Sequence, residues 1–185
     1  MKGKTMIYVF LANGFEETEA IAPIDILRRS ELDVTTVGIG EDVIVSSHGI
    51  AVIPDITEVE FVPSDDIDMI VLPGGMPGTL NLEKSRTVQD AIDFCAANDK
   101  YIAAICAAPS IIGKKGLLNG KKATCFPGFE QFLLGAEYTG DGVVQDGKII
   151  TAKGAGVAID FGLKLSEILT SETNAKKIKA SLQCR

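Results

Sequence analysis

Histidine and tryptophan are almost missing from this chain of 185 residues, which contains one histidine, His48, and no tryptophan. A single histidine excludes most zinc sites and any metal centre that is built from several imidazoles. It also limits nucleophilic catalysis, because a catalytic Ser or Cys has one imidazole in its own chain to use as a base. We therefore expect no bound metal.

Long apolar runs and clusters of basic residues are lacking as well. No stretch approaches the roughly 18 apolar residues that a membrane-spanning helix needs. The 18 Lys and Arg are outnumbered by 25 Asp and Glu, which gives a net charge of −7. Because phosphate contacts need clustered Lys and Arg, we expect neither a nucleic acid nor a membrane as partner. The N-terminal segment, basic and then apolar, has no small-residue cleavage site and predicts a first strand rather than a signal peptide.

Cofactor and disulfide motifs are the last group of absences. Neither Gly-x-Gly-x-x-Gly nor Gly-x-x-x-x-Gly-Lys-[Ser/Thr] occurs, so we expect no nucleotide cofactor. No two cysteines have Cys-x-x-Cys spacing, which does not favour a disulfide scaffold and indicates a reducing, cytoplasmic compartment. The four cysteines are Cys95, Cys106, Cys125 and Cys184.

What the chain does contain is the pattern of one α/β domain, which we expect to cover residues 1–185. Nearly continuous apolar strands alternate with segments of helical period, which predicts a mostly parallel sheet covered by helices on both faces. Two hairpins, at 43–53 and around Asp146-Gly147, add antiparallel pairs. The predicted strands are 6–11, 33–38, 68–72, 101–105, 122–125, 143–145 and 148–151. The predicted helices are 17–30, with an irregular first turn caused by Pro23, then 85–97, one from Pro109 onward, 155–169 and 172–182.

Three segments follow predicted strands and are expected to meet at one edge of the sheet. Sites in open α/β sheets lie at the carboxyl ends of the strands. The three segments are 12–19, 73–78 and 106–109. The candidate site is expected there.

Cys106 lies where a strand changes abruptly into a helix. Only Ala107 and Ala108 separate it from Pro109, which suits the first turn of a helix. This spacing is typical of a nucleophile elbow, in which one side chain is lifted above the sheet, and a helix start behind it would stabilise a thiolate. The alternative is an inert, buried cysteine that ends a core strand.

Glu16 directly precedes the first predicted helix, and Glu17 and Glu19 lie in its first turn. Acidic residues in a first turn are favourable simply because they face the positive end of the helix. One of them could instead reach Cys106, donate a hydrogen bond to the thiolate and act as general acid or base. The spacing does not choose among the three.

Two further features have both a structural and a functional interpretation. The turn that contains Gly74 and Gly75 exposes backbone N–H groups, which suits an oxyanion hole but equally suits a tight turn. His48 lies in a predicted hairpin turn, where a solvated side chain is common, although the fold or a second subunit could bring it near Cys106.

Three motifs, taken together, closely resemble the ThiJ/PfpI superfamily, which includes the Parkinsonism-associated protein deglycase, and in particular its YajL-like bacterial branch. The first is Leu11-Ala12-x-Gly14-x-Glu16-Glu17-x-Glu19, the second Leu72-Pro73-Gly74-Gly75, and the third Ala103-Ala104-Ile105-Cys106-Ala107-Ala108-Pro109. A later segment, Gly154-x-Gly156-x-Ala158-Ile159-Asp160-Phe161-Gly162, matches as well. The resemblance spans nearly the whole chain.

The resemblance implies a flavodoxin-like three-layer sandwich and a homodimer. It implies that Cys106 is the reactive cysteine and that Glu19 is the glutamate that hydrogen-bonds its sulfur. The backbone N–H groups of Gly75 and Ala107, with Gly74 beside them, fall where the family has its oxyanion hole.

The chain departs from the family's pattern at three positions. Protease-like members have His directly after the cysteine, where this chain has Ala107, so a cysteine peptidase is disfavoured. Deglycase members commonly have His where this chain has Phe126, so a mechanism that uses that imidazole is in doubt. His48 replaces an Arg that approaches the partner subunit's site in close relatives.

The resemblance, taken with this set of residues, implies two alternative functions. The first is a cofactor-free glyoxalase or deglycase, in which the Cys106 thiolate attacks methylglyoxal or its early adduct on a side chain. The second is a redox sensor or oxidation-controlled chaperone, in which the same thiol is oxidised. Both need a reactive thiol of low pKa. A structural domain with a vestigial site is the remaining, weaker interpretation.

Overall fold

A computed structural model describes residues 5–184 of the chain. Its strands are β1 (Met6–Ala12), β2 (Asp33–Ile39), β3 (Ile44–Val45), β4 (Ala51–Val52), β5 (Ile56–Thr57), β6 (Ile67–Leu72), β7 (Tyr101–Ile105), β8 (Lys122–Ala123), β9 (Glu137–Tyr138), β10 (Val143–Asp146) and β11 (Ile149–Ala152). Its helices are α1 (Glu17–Arg29), α2 (Gly78–Lys84), α3 (Arg86–Ala97), α4 (Pro109–Lys114), α5 (Ala158–Leu169) and α6 (Glu172–Ser181).

Seven strands form one mostly parallel sheet in the order β10-β11-β7-β6-β1-β2-β5. Within it, β10 and β11 pair antiparallel and the other neighbours pair parallel. A separate antiparallel hairpin is formed by β3 and β4. The predicted α/β fold with a mostly parallel sheet and a small antiparallel hairpin is confirmed.

Helices cover both faces of the sheet because the central strands are apolar on both sides. Two consecutive residues of β6 show this: Met69 belongs to the apolar cluster that includes residues of α1 and α5, whereas Ile70 belongs to the cluster that includes residues of α2, α3 and α4. α1 follows β1 onto one face and α2 follows β6 onto the other. The two neighbouring strands thus lead to helices on opposite faces, and in open α/β sheets sites lie at the carboxyl ends of such strands.

Several predicted boundaries differ from the structure. Pro23 lies inside a continuous α1 and does not disturb its first turn. The helix predicted over 155–169 begins at Ala158, after a 3₁₀ turn at Ala155–Val157. The strand predicted over 122–125 ends at Ala123, because the Thr124 N–H donates to the Thr151 hydroxyl (3.0 Å) and leaves the ladder.

The second hairpin is displaced by one residue from its predicted position. Asp146 pairs with Ile149, so Gly147 and Lys148 form the turn and the strand predicted from 148 begins at Ile149. Short elements were not predicted: α2, β5 and β9 contain too few residues to show a period. No helix within residues 5–184 is long and apolar enough to span a membrane.

Candidate functional site

The elbow at Cys106 has the predicted sharp geometry. β7 ends at Ile105, Cys106 has a φ of 66°, and Pro109 is in the first turn of α4. A cysteine in the left-handed region is strained, and such strain persists only where neighbours hold the backbone. Two neighbours do so here: the Cys106 N–H donates to the Ala152 carbonyl (2.9 Å), and the Phe126 N–H donates to the Cys106 carbonyl (2.8 Å).

The three glutamates of the first helix have three different positions. Glu16 is the N-cap of α1, and its carboxylate accepts the Glu19 N–H (2.7 Å). Glu17 faces outward and pairs with His48, its Oε1 lying 2.9 Å from Nδ1. Glu19 points inward and is 1% exposed. Tertiary structure therefore makes the choice that the spacing left open.

Glu19 is held against the Cys106 thiol. Its carboxyl group hydrogen-bonds the thiol and accepts the N–H groups of Gly74 (3.0 Å) and Ala155. Burial raises the pKa of this carboxyl to about 7, while its hydrogen bonds oppose that rise. Glu19 can therefore both accept and donate a proton near neutral pH.

Two backbone N–H groups face the sulfur of Cys106, those of Gly75 and Ala107. The Gly74 N–H, which the sequence also suggested for the oxyanion hole, instead donates to the Glu19 carboxyl group. Gly74 has a different part in the site: a Cβ there would lie 2.5 Å from Cβ of Cys106 and 2.5 Å from Oε2 of Glu19. Only glycine lets the β6 loop approach this closely.

The thiol pKa differs from the low value expected from the sequence. Burial raises the pKa of Cys106, and the negative charge of Glu19 raises it further, while the N–H groups of Gly75 and Ala107 lower it. A Cys106 thiolate and a Glu19 carboxylate repel each other, so the pair releases its protons in coupled steps. A Cys106 thiolate is stabilised here when Glu19 holds the proton. The start of α4 alone does not provide that stabilisation.

Backbone contacts join the loops around the site. The Glu16 N–H donates to the Gly74 carbonyl (2.9 Å), and the Gly78 N–H donates to the Gly14 carbonyl (3.1 Å). The small hairpin is attached to the same loop, since the Gly14 N–H donates to the Val45 carbonyl (2.8 Å). The β1 and β6 loops are thus held as one unit beside the elbow.

His48 is at the outer rim, away from the sulfur's own contacts. Its side chain is 71% exposed and contacts Glu17 and the Ser47 hydroxyl. The ligand atoms of Glu16, Glu17 and His48 lie within 4.8 Å of one another. Glu16 already caps α1 and Glu17 already pairs with His48, so these contacts account for the cluster without an ion.

The segment after β11 also contributes to the site, which was not predicted from the sequence. Gly154 packs against the Phe126 ring, and the Ala155 N–H reaches Glu19. The signal was present as the Gly154-Ala155-Gly156 motif, but the spacing alone did not place it near Cys106. Phe126 itself is 47% exposed beside the elbow.

Comparison with known proteins gives consistent matches over most of the chain. Residues 5–168 match the family model of the DJ-1/PfpI family. Protein dj-1beta of Drosophila melanogaster is 37% identical over 177 residues, covering 94% of each chain. The glutathione-independent glyoxalase DJR-1.2 of Caenorhabditis elegans is 30% identical over 156 residues, covering 83% of this chain and 82% of its own. The structure of oxidized Toxoplasma gondii DJ-1 superposes with a TM-score of 0.90 at 34% identity, covering 97% of this chain and 98% of its own.

Proposed function

The chain belongs to the DJ-1/PfpI family, and on that basis we propose that it is a cofactor-free glyoxalase or protein deglycase whose nucleophile is Cys106. One observation carries the proposal: a single carboxyl group, Glu19, is buried against a thiol that also faces two backbone N–H groups. A relative named as a glutathione-independent glyoxalase supports the same activity.

The reaction begins with addition to the aldehyde. With the proton on Glu19, the Cys106 thiolate attacks the aldehyde carbon of methylglyoxal, and a C–S bond forms as the C=O π bond breaks. The N–H groups of Gly75 and Ala107 stabilise the developing oxyanion. The Glu19 carboxylic acid then donates its proton to that oxygen, which leaves a hemithioacetal.

The second stage is an internal oxidation and reduction that needs no cofactor. The Glu19 carboxylate removes the proton from C1 and returns it to C2 of the resulting enediol, while the proton of the C1 hydroxyl passes to the C2 oxygen, so C1 is oxidised and C2 is reduced. The product is a lactoyl thioester on Cys106. Water breaks its C–S bond, which releases lactate and restores the thiol. An early glycation adduct would give the same hemithioacetal if the Cys106 thiolate displaced the side-chain amine or thiol, which would leave with the proton of Glu19.

The test is the conversion of methylglyoxal to lactate with substrate in large excess over protein. We expect many turnovers by the wild type and none by Cys106→Ser, because a serine hydroxyl in this site is a much weaker nucleophile than the cysteine thiolate. Cys184→Ser is the matched control and should keep full activity. Lactate formation that survives in Cys106→Ser, or a wild type that stops after one equivalent, would contradict the proposal.

A second candidate function uses the same thiol once rather than catalytically. A peroxide would oxidise the Cys106 thiolate to sulfenic acid with release of water, and a second equivalent would give sulfinic acid. The Glu19 carboxyl and the two N–H groups favour this candidate, because they are placed to hydrogen-bond sulfinate oxygens. It predicts a stoichiometric mass increase at Cys106 under peroxide and no turnover of aldehyde.

We further propose that the protein is a cytoplasmic homodimer. All four cysteines are free thiols, which suits a reducing compartment. Exposed isoleucines on α1 and around β4, among them Ile21 and Ile50, offer apolar surface for a second copy. Light scattering after gel filtration should give twice the mass of the chain.

A further inference from the structure

An apolar pocket of about 380 Å³ is formed by residues whose neighbours in the fold are Cys106 and Glu19, although neither of these two side chains lines it. It is lined by residues 126–127 and 153–157. Its walls are parts of the site already described. The Phe126 N–H bonds to the Cys106 carbonyl, the Ala155 N–H bonds to Glu19, and a Cβ on Gly154 would lie 3.2 Å from the Phe126 ring and 3.8 Å from Oε1 of Glu19.

The lining side chains are almost entirely hydrocarbon. The Phe126 ring, the Pro127 ring and the Val157 isopropyl group supply the larger surfaces. The charged lining residue is Lys153, whose ammonium group donates to the Gly140 carbonyl (3.3 Å). Phe126 thus keeps a large apolar ring half exposed, while its backbone N–H is bonded to the Cys106 carbonyl.

We propose that this pocket binds the hydrocarbon substituent of the substrate, and that Phe126 determines specificity for 2-oxoaldehydes that carry an aryl or branched alkyl group. This inference rests on the proposed glyoxalase function. With the aldehyde carbon on Cys106 and its oxygen at Gly75 and Ala107, the group on the neighbouring ketone carbon has to extend away from the sulfur. The adjoining pocket on the Gly154 side offers apolar surface to receive it.

The size of the substituent decides how much of the pocket is used. A methyl group covers little of the apolar lining, whereas a phenyl ring removes much of it from water and can pack edge-to-face on Phe126. One methylene group more or less in an apolar pocket changes kcat/KM by roughly 10- to 200-fold. We therefore expect phenylglyoxal to exceed methylglyoxal in kcat/KM by about tenfold or more.

The experiment compares kcat/KM for phenylglyoxal, followed as mandelate, with that for methylglyoxal, followed as lactate. Phe126→Ala should lower the ratio of the two by about tenfold, and Phe126→Leu should restore part of it. Leu134→Ala is the matched control, because Leu134 is 52% exposed and lies outside the pocket; it should keep the wild-type ratio. An unchanged ratio in Phe126→Ala, or a wild type that prefers methylglyoxal, would overturn the inference.

A second measurement tests the pocket without any turnover, so that its failure and the failure of the proposed function are distinguishable. Cys106 is alkylated with iodoacetamide or with its N-phenyl analogue, and Cys184 in the same chain corrects for the reagents' own reactivity. The pocket predicts that the phenyl reagent is preferred at Cys106 and that Phe126→Ala loses this preference. A second copy seated over the pocket would give equal corrected rates and would refute the inference.

Discussion

At the scale of single residues, the burial of Glu19 decides what Cys106 can do. Burying a carboxylate costs free energy unless the group is neutralised or hydrogen-bonded. The Glu19 carboxyl is hydrogen-bonded, and its pKa is raised to about 7, so it can also be neutral. Its neighbours Glu16 and Glu17 remain at the surface of the same helix turn. One helix turn therefore supplies a cap, a hydrogen-bond partner for His48 and a buried acid.

Replacing Glu19 by Gln should change how stability depends on pH. Burial raises the pKa of Glu19 from its ordinary 4.5 to about 7, so the folded protein binds this proton more tightly than the unfolded chain. Between these two values wild-type stability therefore falls as pH rises. Gln does not titrate, so the stability of Glu19→Gln relative to wild type should rise by about 3 kcal/mol across that window.

The measurement is urea unfolding of both proteins at several pH values from 4 to 8. Glu41→Gln, a substitution at an exposed glutamate, is the matched control, and its free energy of unfolding should follow that of the wild type at every pH. If the curves of Glu19→Gln and wild type run parallel throughout, Glu19 does not hold a proton in the folded state as described.

At the scale of elements, the packing of α1 on α5 sets the position of Glu19. Gly162 of α5 lets the two helices approach closely, because a Cβ there would lie 2.8 Å from Cδ1 of Ile26 and 3.0 Å from Cα of Pro23. A buried hydrogen bond between the Ser30 and Ser166 hydroxyls (2.7 Å) joins the far ends of the same pair. The first turn of α1, which carries Glu19, is thereby fixed relative to the sheet.

Gly162→Ala should destabilise the protein although alanine is the better helix former. The Ile26 methyl can move aside, but the Pro23 backbone cannot, so α1 has to shift outward. Overpacking of this kind costs about 1 to 3 kcal/mol, against which alanine regains up to about 1 kcal/mol of helix propensity. Thermal unfolding should show a clear net loss of stability.

Gly156→Ala is the matched control for that substitution. A Cβ at Gly156 meets no atom within 4 Å, so its stability should stay close to that of the wild type. Equal melting temperatures for the two alanine variants would mean that the helix contact at Gly162 is not tight.

At the scale of the whole molecule, two apolar clusters lie on opposite faces of one sheet. Ile70 belongs to one cluster and Met69 to the other, and both are fully buried. Because neighbouring residues of β6 contribute to both clusters, neither can be lost without disturbing the strand they share. We therefore propose that residues 1–185 fold as a single cooperative domain.

Ile70→Ala and Met69→Ala should each lower the free energy of unfolding by about 2 to 5 kcal/mol, the usual cost of emptying a buried site. Both should unfold in one transition that is the same by far-UV circular dichroism and by tyrosine fluorescence. Val62→Ala, at a side chain 70% exposed, should change stability by less than about 0.5 kcal/mol. Two separated transitions in either core variant would argue against a single domain.

The sequence by itself determined the features that depend on neighbouring residues. A buried strand, two alanines and Pro109 predict a sharp turn at Cys106, and the structure has that turn, because adjacent residues alone specify such geometry. Alternation of apolar strands and helices likewise predicted the parallel sheet. The short elements α2, β5 and β9 escaped prediction because none of them is long enough to show a period.

Tertiary structure alone decided which groups surround the sulfur. Glu16, Glu17 and Glu19 are equivalent in spacing, and only the packing of α1 on the sheet turns Glu19 inward. The same packing buries the carboxyl beside the thiol and makes their proton release interdependent, which reverses the simple expectation of a low thiol pKa. The apolar pocket at Phe126 is also a product of the fold, since it is built where the segments after β8 and β11 meet.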